Sequence, residues 1–387
     1  MIFTTYTFLV FFLALLLVYA LTPRPLRKYV MIVGGFVFYA YDSIGHFFFL
    51  LALTCVVYVI SLSEKRPILL YGICVPVGFL LYYKYWKMAV STWNSVFAGW
   101  FSATLPAVHI AVPLAISFFV FEFVHYLADV YKGKTERVSF SEFFLFIFFF
   151  PSLVAGPIKR IQSFSKEKFL FSFEHVQKGM IRMGIGLFKK IVLADSLNPL
   201  FMPVFDDPHK YPPDALWVAM YAYAFKIYFD FSAYSDIAIG AAQCFGFHLP
   251  ENFNWPYISR NLVEFWRRWH ISLSTWIRDY LYIPMGGNRK GYLNMLLFIF
   301  LAMTISGLWH GANWTFVIWG MWHGIGQVIN KIWNKWRQER TFVPKPLYEF
   351  LSWGLTFQFV CFGWIFFASP TIHNSIVFFV RMWGIHA

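Results

Sequence analysis

Charge is what this sequence has least of. Of its 387 residues only 13% are Asp, Glu, Lys or Arg, against 59% hydrophobic and 23% aromatic, where a soluble globular chain carries about a quarter charged. A soluble fold could not hide that much apolar surface, so the soluble class is excluded and the bilayer is the expected solvent. Acid is scarcer than base: 19 Asp and Glu face 32 Lys and Arg, a net charge of +13. In a soluble chain that excess would raise nucleic acid as a partner. In a membrane chain it reflects basic cytoplasmic loops and anionic headgroups, so the expected partners are membrane lipids and no nucleic acid.

Cysteine is nearly absent. Cys55, Cys74, Cys244 and Cys361 are scattered, mostly inside apolar runs, with no CxxC pair and no Cys/His cluster of metal-ligand spacing. Neither a disulfide framework nor a metal site is indicated. The chain also lacks a G-x-S-x-G nucleophile elbow, a G-x-x-x-x-G-K-[ST] phosphate loop and an H-E-x-x-H zinc helix, which removes three common routes to hydrolysis or phosphoryl transfer. No internal repeat or low-complexity linker divides it, and residues 1–387 read as one membrane domain.

What is present is a series of apolar runs near 5–21, 29–41, 46–62, 68–83, 106–130, 139–158, 216–232, 292–308, 311–329 and 349–368. A span needs about 20 apolar residues, so these predict about nine to eleven membrane segments. The first run lacks a basic leader and is followed by Arg24, Arg27 and Lys28, the pattern of a retained span with its N-terminus outward. Basic stretches follow at Glu64-Lys65-Arg66, Lys132 to Arg137, and Lys331 to Lys345. With a hairpin turning at Asp42, the first two fall on the cytoplasmic side. A full span over 139–158 would then put Lys159 and Arg160 outside, against the positive-inside rule. Pro151, Gly156 and Pro157 interrupt that run, and a broken or re-entrant helix is tolerated only where protein or a water-filled cavity encloses it. The alternative is one short span with a few mis-sided charges. Lys178, Arg182, Lys189 and Lys190, set among Met, Ile, Leu and Phe over 176–196, predict a helix lying in the membrane interface.

Polar residues concentrate between two greasy regions, from Tyr228-Phe-Asp-Phe-Ser-Ala-Tyr-Ser-Asp236 through Arg260-Asn-Leu-Val-Glu-Phe-Trp-Arg-Arg-Trp-His270 to Asn288-Arg-Lys-Gly291. Such density near a membrane is costly unless it is functional or interfacial. Trp266, Trp269, Leu273, Trp276 and Tyr280 recur at three and four residues and predict one face of one helix. For the Trp and Arg residues a membrane-surface anchor and a functional role stand equally open. His270 is different, because an interfacial anchor has no need of imidazole. Downstream, Leu308-Trp-His310-Gly-Ala-Asn-Trp314 places a histidine at the edge of an apolar span. A neutral imidazole can sit there and take a proton from an alcohol near pH 7; a hydrogen-bonded packing residue is the plainer reading.

At these residues the sequence resembles the membrane-bound O-acyltransferases, and within them the bacterial branch of alginate O-acetylation and teichoic-acid D-alanylation. YFDFSAYSDIAIG, FGFHLPENFNWPYISRNLVEFWRRWHISLSTWIRDYLYIPMGGNRKG and GLWHGANWTFVIWG carry the likeness, with PLAISFFVFEFVHYLADVYKG from Pro113 and FPSLVAGPIKR at 150–160. The likeness is most specific over residues 110–330. It implies an all-α polytopic membrane protein, a ring of transmembrane and re-entrant helices around a central funnel, in the plasma membrane of a bacterium. The family's hallmark histidines fall at His270 and His310, with His310 near the funnel's thin floor. An acyl donor would enter from the cytoplasm and an acceptor from outside, sparing the donor's phosphates a passage through hydrocarbon.

The expected chemistry is O-acetylation of a cell-envelope polysaccharide, with acetyl-CoA as donor, no permanently bound cofactor, and an extracytoplasmic acyltransferase partner that finishes the transfer. The alternative donor is a D-alanyl phosphopantetheine thioester on an acyl carrier protein, for teichoic acid. A secondary transporter is the competing class; it should show inverted repeats and survive loss of His310. His310 is expected to act as base, with His270 near the donor entrance orienting the thioester carbonyl or its supporting helix. Arg267, Arg268, Arg278, Arg289 and Lys290 are candidates to hold donor phosphates, and Trp309, Asn313, Asp279 and Ser272 to support the pocket.

Overall fold

The computed structural model describes residues 3–97, 105–106, 110–154, 156–164, 171–337 and 344–385. Parts of three sequence expectations lie outside the described residues: 107–109 in the 106–130 run, Ala155 in the 139–158 run, and 338–343 in the last basic stretch. Regular structure among the described residues is helical, with no strand. The chain is an all-α polytopic membrane protein. Ile44–Ser61, Arg66–Phe97, Tyr292–His310 and Lys345–Ala368 are long and apolar enough to cross a membrane, and Tyr6–Leu21 and Phe140–Ser152 are shorter apolar helical stretches, the second of them interrupted. Along Tyr6–Leu21, Val10, Leu13, Leu17 and Leu21 are exposed at helical spacing while Phe8, Phe12 and Tyr19 are buried. That is a lipid-facing stripe opposite a protein-facing one.

Contacts divide the chain into two compact units, Met1–Leu187 with Ala233–Pro250, and Phe188–Ser232 with Glu251–Ala387. The first unit is cored by phenylalanine: Phe8, Phe12, Phe38, Phe119, Phe123, Phe143, Phe146, Phe148, Phe149 and Phe150 are buried together. The helix expected over 106–130 starts only at Ile116, because Ala115 adopts a left-handed conformation at φ +57°. The 139–158 run is broken as its prolines imply. A capping box of Ser139 and Glu142 starts Phe140–Ile147, whose eight residues reach about 12 Å, too short for a bilayer core of about 30 Å. A 3₁₀ turn, Phe150–Ser152, follows.

Lys159, one of the two charges behind the topological conflict, lies inside the protein. It is buried in an ion pair with Glu122, its ammonium 4.7 Å from the centre of the Phe146 ring. The same helix, Ile116–Tyr131, also buries His125 and Asp129, with Asp129 accepting from Gln162. In Phe173–Phe188, Met183 and Gly186 are buried while Ile181, Ile185 and Phe188 are exposed. Arg182, one of the four basic residues of this helix region, pairs with Asp236 at 3.0 Å.

The second unit contains the start of the Pro213–Cys244 helix and the helices Tyr292–His310, Trp314–Arg337, Lys345–Ala368 and Ile372–Arg381. The Tyr292–His310 and Trp314–Arg337 helices lie against each other through small residues. A Cβ on Gly307 would come within 2.8 Å of the Gly320 Cα, so this approach requires glycine, as close helix packing in membranes commonly does. It sets the turn that carries His310.

Candidate active site

The single helix expected to carry Trp266 through Tyr280 is two. Leu262–Arg268 begins on the Asn261 side chain, which accepts the Glu264 N–H at 2.8 Å, and ends at the extended Trp269. His270 then takes φ +43° before Ile271–Ile277 resumes. Hydrogen bonds from a distant segment impose the break: the Asn254 N–H donates to the Arg268 carbonyl and the Ile271 N–H to the Asn252 carbonyl, each at 2.9 Å. Trp266, Trp269 and Leu273 are buried, but Trp276 and Tyr280 are only half-buried and belong to the second piece. A left-handed non-glycine residue costs of order 1–3 kcal/mol and persists only where the surroundings hold it, often at functional positions.

His270 is 1% exposed. Its Nδ1 lies 3.2 Å from the Asn252 side-chain oxygen, which also accepts the Ser272 N–H at 3.2 Å and the Ser272 hydroxyl at 2.9 Å. Phe231 covers the ring edge-on at 5.3 Å between centroids, and Trp309 lies at 6.4 Å. Among the described residues no group hydrogen-bonds Nε2. Burial pushes the imidazole pKa down to about 3, so it is neutral at physiological pH.

His310 ends the Tyr292–His310 helix and is half-buried. Trp309, Trp319 and Phe367 frame its ring edge-on, at 4.8, 5.1 and 5.1 Å. A Cβ on the next residue, Gly311, would strike the Phe316 ring, so a larger residue in the turn after His310 would have to displace that ring. Asn313 builds the same turn: its side-chain oxygen accepts the Thr315 N–H at 3.1 Å and its amide donates to the Pro370 carbonyl at 2.9 Å. Trp309 touches both histidines.

Of the basic candidates, Arg268 is held by Glu264 at 2.9 Å and Arg278 by Asp279 at 2.7 Å. Arg267, Arg289 and Lys290 are exposed. Ser272 is engaged by Asn252 beside His270, and Asp279 by Arg278.

Two buried groups escaped sequence reasoning. Asn252 sits 18 residues before His270, inside a segment that carries the family resemblance but with nothing local that ties it to the imidazole. His323, fully buried, packs 4.9 Å from Trp319 and 5.2 Å from Trp266, and among the described residues neither ring nitrogen has a hydrogen-bond partner. A signal for it existed, since an ionisable side chain inside an apolar run marks function by default.

The model of the membrane-bound O-acyltransferase family matches residues 75–369, which include both histidines. The chain belongs to the membrane-bound O-acyltransferase family. It is therefore a multi-pass membrane enzyme, an O-acyltransferase. Its curated relatives include a probable alginate O-acetylase of Pseudomonas putida, 36% identical over 99% of this chain and 80% of the relative. A peptidoglycan O-acetyltransferase of Helicobacter pylori is 32% identical over 97% of the chain and 77% of the relative. A teichoic acid D-alanyltransferase of Bacillus subtilis is 30% identical over 67% of the chain and 70% of the relative.

Proposed function

We propose that this O-acyltransferase acetylates a cell-envelope polysaccharide, drawing acetyl from acetyl-CoA on the cytoplasmic side and passing it to an extracytoplasmic acyltransferase partner, with residues 1–387 acting as one catalytic domain. The observation that carries the reading is the half-buried His310, an imidazole at the end of a span-length helix, held on three sides by aromatic rings. That imidazole takes the proton as an acceptor hydroxyl attacks the thioester carbonyl. A C–O bond forms, the C–S bond breaks, and the thiolate leaves and is protonated to free CoA. Ring packing on this scale contributes by holding the base in an attacking geometry.

The acetyl assignment rests on relatives named as a probable O-acetylase and an O-acetyltransferase that match nearly the whole chain. The D-alanyltransferase match covers two thirds of it and supports the second reading, transfer of D-alanine from a carrier-protein thioester. Purified protein offered radiolabelled acetyl-CoA in one reaction and D-alanyl carrier protein in the other separates the two. Label transfer from acetyl-CoA alone is expected, and transfer from the carrier alone overturns the acetyl reading.

The same assay tests the basic candidates. Arg267, Arg289 and Lys290, exposed and accessible to donor phosphates, are expected to raise donor KM when changed to Ala. Arg268 and Arg278, already held by carboxylates, should move it less. An unchanged KM in all five leaves these residues as headgroup anchors.

A further inference from the structure

We infer that Asn252 is a positioning residue that locks His270 in the Nδ1–H tautomer, so that Nε2 is presented as a hydrogen-bond acceptor to an O–H or N–H of a substrate. The inference rests on the reading that acyl transfer occurs at His270 and His310.

The tautomer follows from the partners. A backbone N–H can only donate, so the Asn252 atom 3.2 Å from the Ser272 nitrogen is the amide oxygen and not its NH₂. An amide oxygen can only accept, so the His270 Nδ1 that it meets at 3.2 Å carries the proton. In a neutral ring Nε2 then holds a lone pair. It is buried, no donor among the described residues reaches it, and leaving a buried acceptor unpaired is costly. The backbone pays further for the φ of +43° at the same residue. Two local costs at one side chain, with its opposite nitrogen anchored, describe an imidazole held ready for a ligand.

The expected role of His270 changes accordingly. A thioester carbonyl is itself an acceptor, so an unprotonated Nε2 cannot orient it. The groups that can meet Nε2 are the acceptor's hydroxyl or an amide N–H of the donor's pantetheine arm. Both are donors of the same kind, and kinetics tells them apart.

The experiment uses the 387-residue chain labelled with ¹⁵N in its histidine rings, comparing wild type, His270→Gln to assign the signal, Asn252→Ala and Asn252→Asp. Wild-type His270 should show a protonated Nδ1 and a bare Nε2. Asn252→Asp, which keeps an acceptor oxygen, should preserve that pattern. Asn252→Ala should mix the tautomers and lower kcat about 10- to 100-fold, as loss of a histidine-orienting partner commonly does. A KM rise for the acceptor identifies its hydroxyl as the ligand of Nε2, and a rise for the donor identifies the pantetheine amide. A protonated Nε2 in wild type overturns the inference, and this result needs no folded variant. An unchanged spectrum in a folded Asn252→Ala overturns it as well. Normal transfer by His270→Gln alongside the expected wild-type spectrum overturns the substrate-facing role and the placement of catalysis here, while the tautomer stands.

Discussion

Trp319 lies edge-on to His310, the ring centroids 5.1 Å apart at an interplanar angle of 87°. The same indole touches His323 four residues along its helix at 4.9 Å, the i,i+4 spacing at which helical side chains meet. One buried ring thus holds the proposed base and the histidine that the sequence left unnoticed.

Trp319→Phe keeps most of that apolar volume but loses the breadth of the indole. The variant is expected to fold and to keep its KM values while kcat falls about 10- to 100-fold, because a misplacement of about 1 Å at a reacting group costs on that scale. Steady-state kinetics on the purified variant decides it. An unchanged kcat means that the indole fills space and does not aim His310.

Glu122 and Lys159 make a contrasting prediction, about stability and not catalysis. Both are buried, so removing one leaves an uncompensated charge in a low-dielectric interior. Glu122→Leu alone should destabilise by about 3–5 kcal/mol, whereas Glu122→Leu with Lys159→Met should recover most of the loss, since apolar replacement of a whole buried pair is often neutral. Thermal unfolding in detergent compares the three proteins. A double variant as unstable as the single one would show that the pair is needed for more than mutual neutralisation.

His270 gives a pH prediction with a definite sign. Its folded pKa lies near 3, below the ordinary value of 6.5, because burial opposes the charged ring. Below pH 6.5 the unfolded chain takes up a proton that the folded one refuses, so the contribution is whole above 6.5 and is lost as pH falls toward 3. Wild-type Tm should therefore drop more between pH 7 and pH 4.5 than the Tm of His270→Gln. Equal drops would mean that His270 titrates normally.

The general character of this fold was legible from composition and run length. Low charge and apolar runs indicated a helical membrane chain, and Pro151 with Pro157 marked the broken helix near 150 before any coordinates. The turn after His310 was also readable, because glycine follows the histidine at the end of an apolar run. The break at His270 was not. Local spacing of Trp266, Trp269 and Leu273 favours one continuous helix, and hydrogen bonds to the Asn252 carbonyl and from the Asn254 N–H divide it. Those partners lie far back in the chain, and periodicity carries no information about such pairing. The burial of Lys159 was hidden for the same reason. Its partner Glu122 stands 37 residues away, and a charge rule for loops has no means of anticipating an interior ion pair.

In the proposed function His310 takes the hydroxyl proton during transfer. The most direct measurement is single-turnover acyl transfer by His310→Ala, with donor binding and helix content measured on the same sample. Transfer is expected to fall about 10²–10⁴-fold, the usual cost of losing a general base, while binding and helix content stay at wild-type levels. Retention of more than roughly a tenth of wild-type transfer, far above what loss of a general base allows, would contradict the assignment.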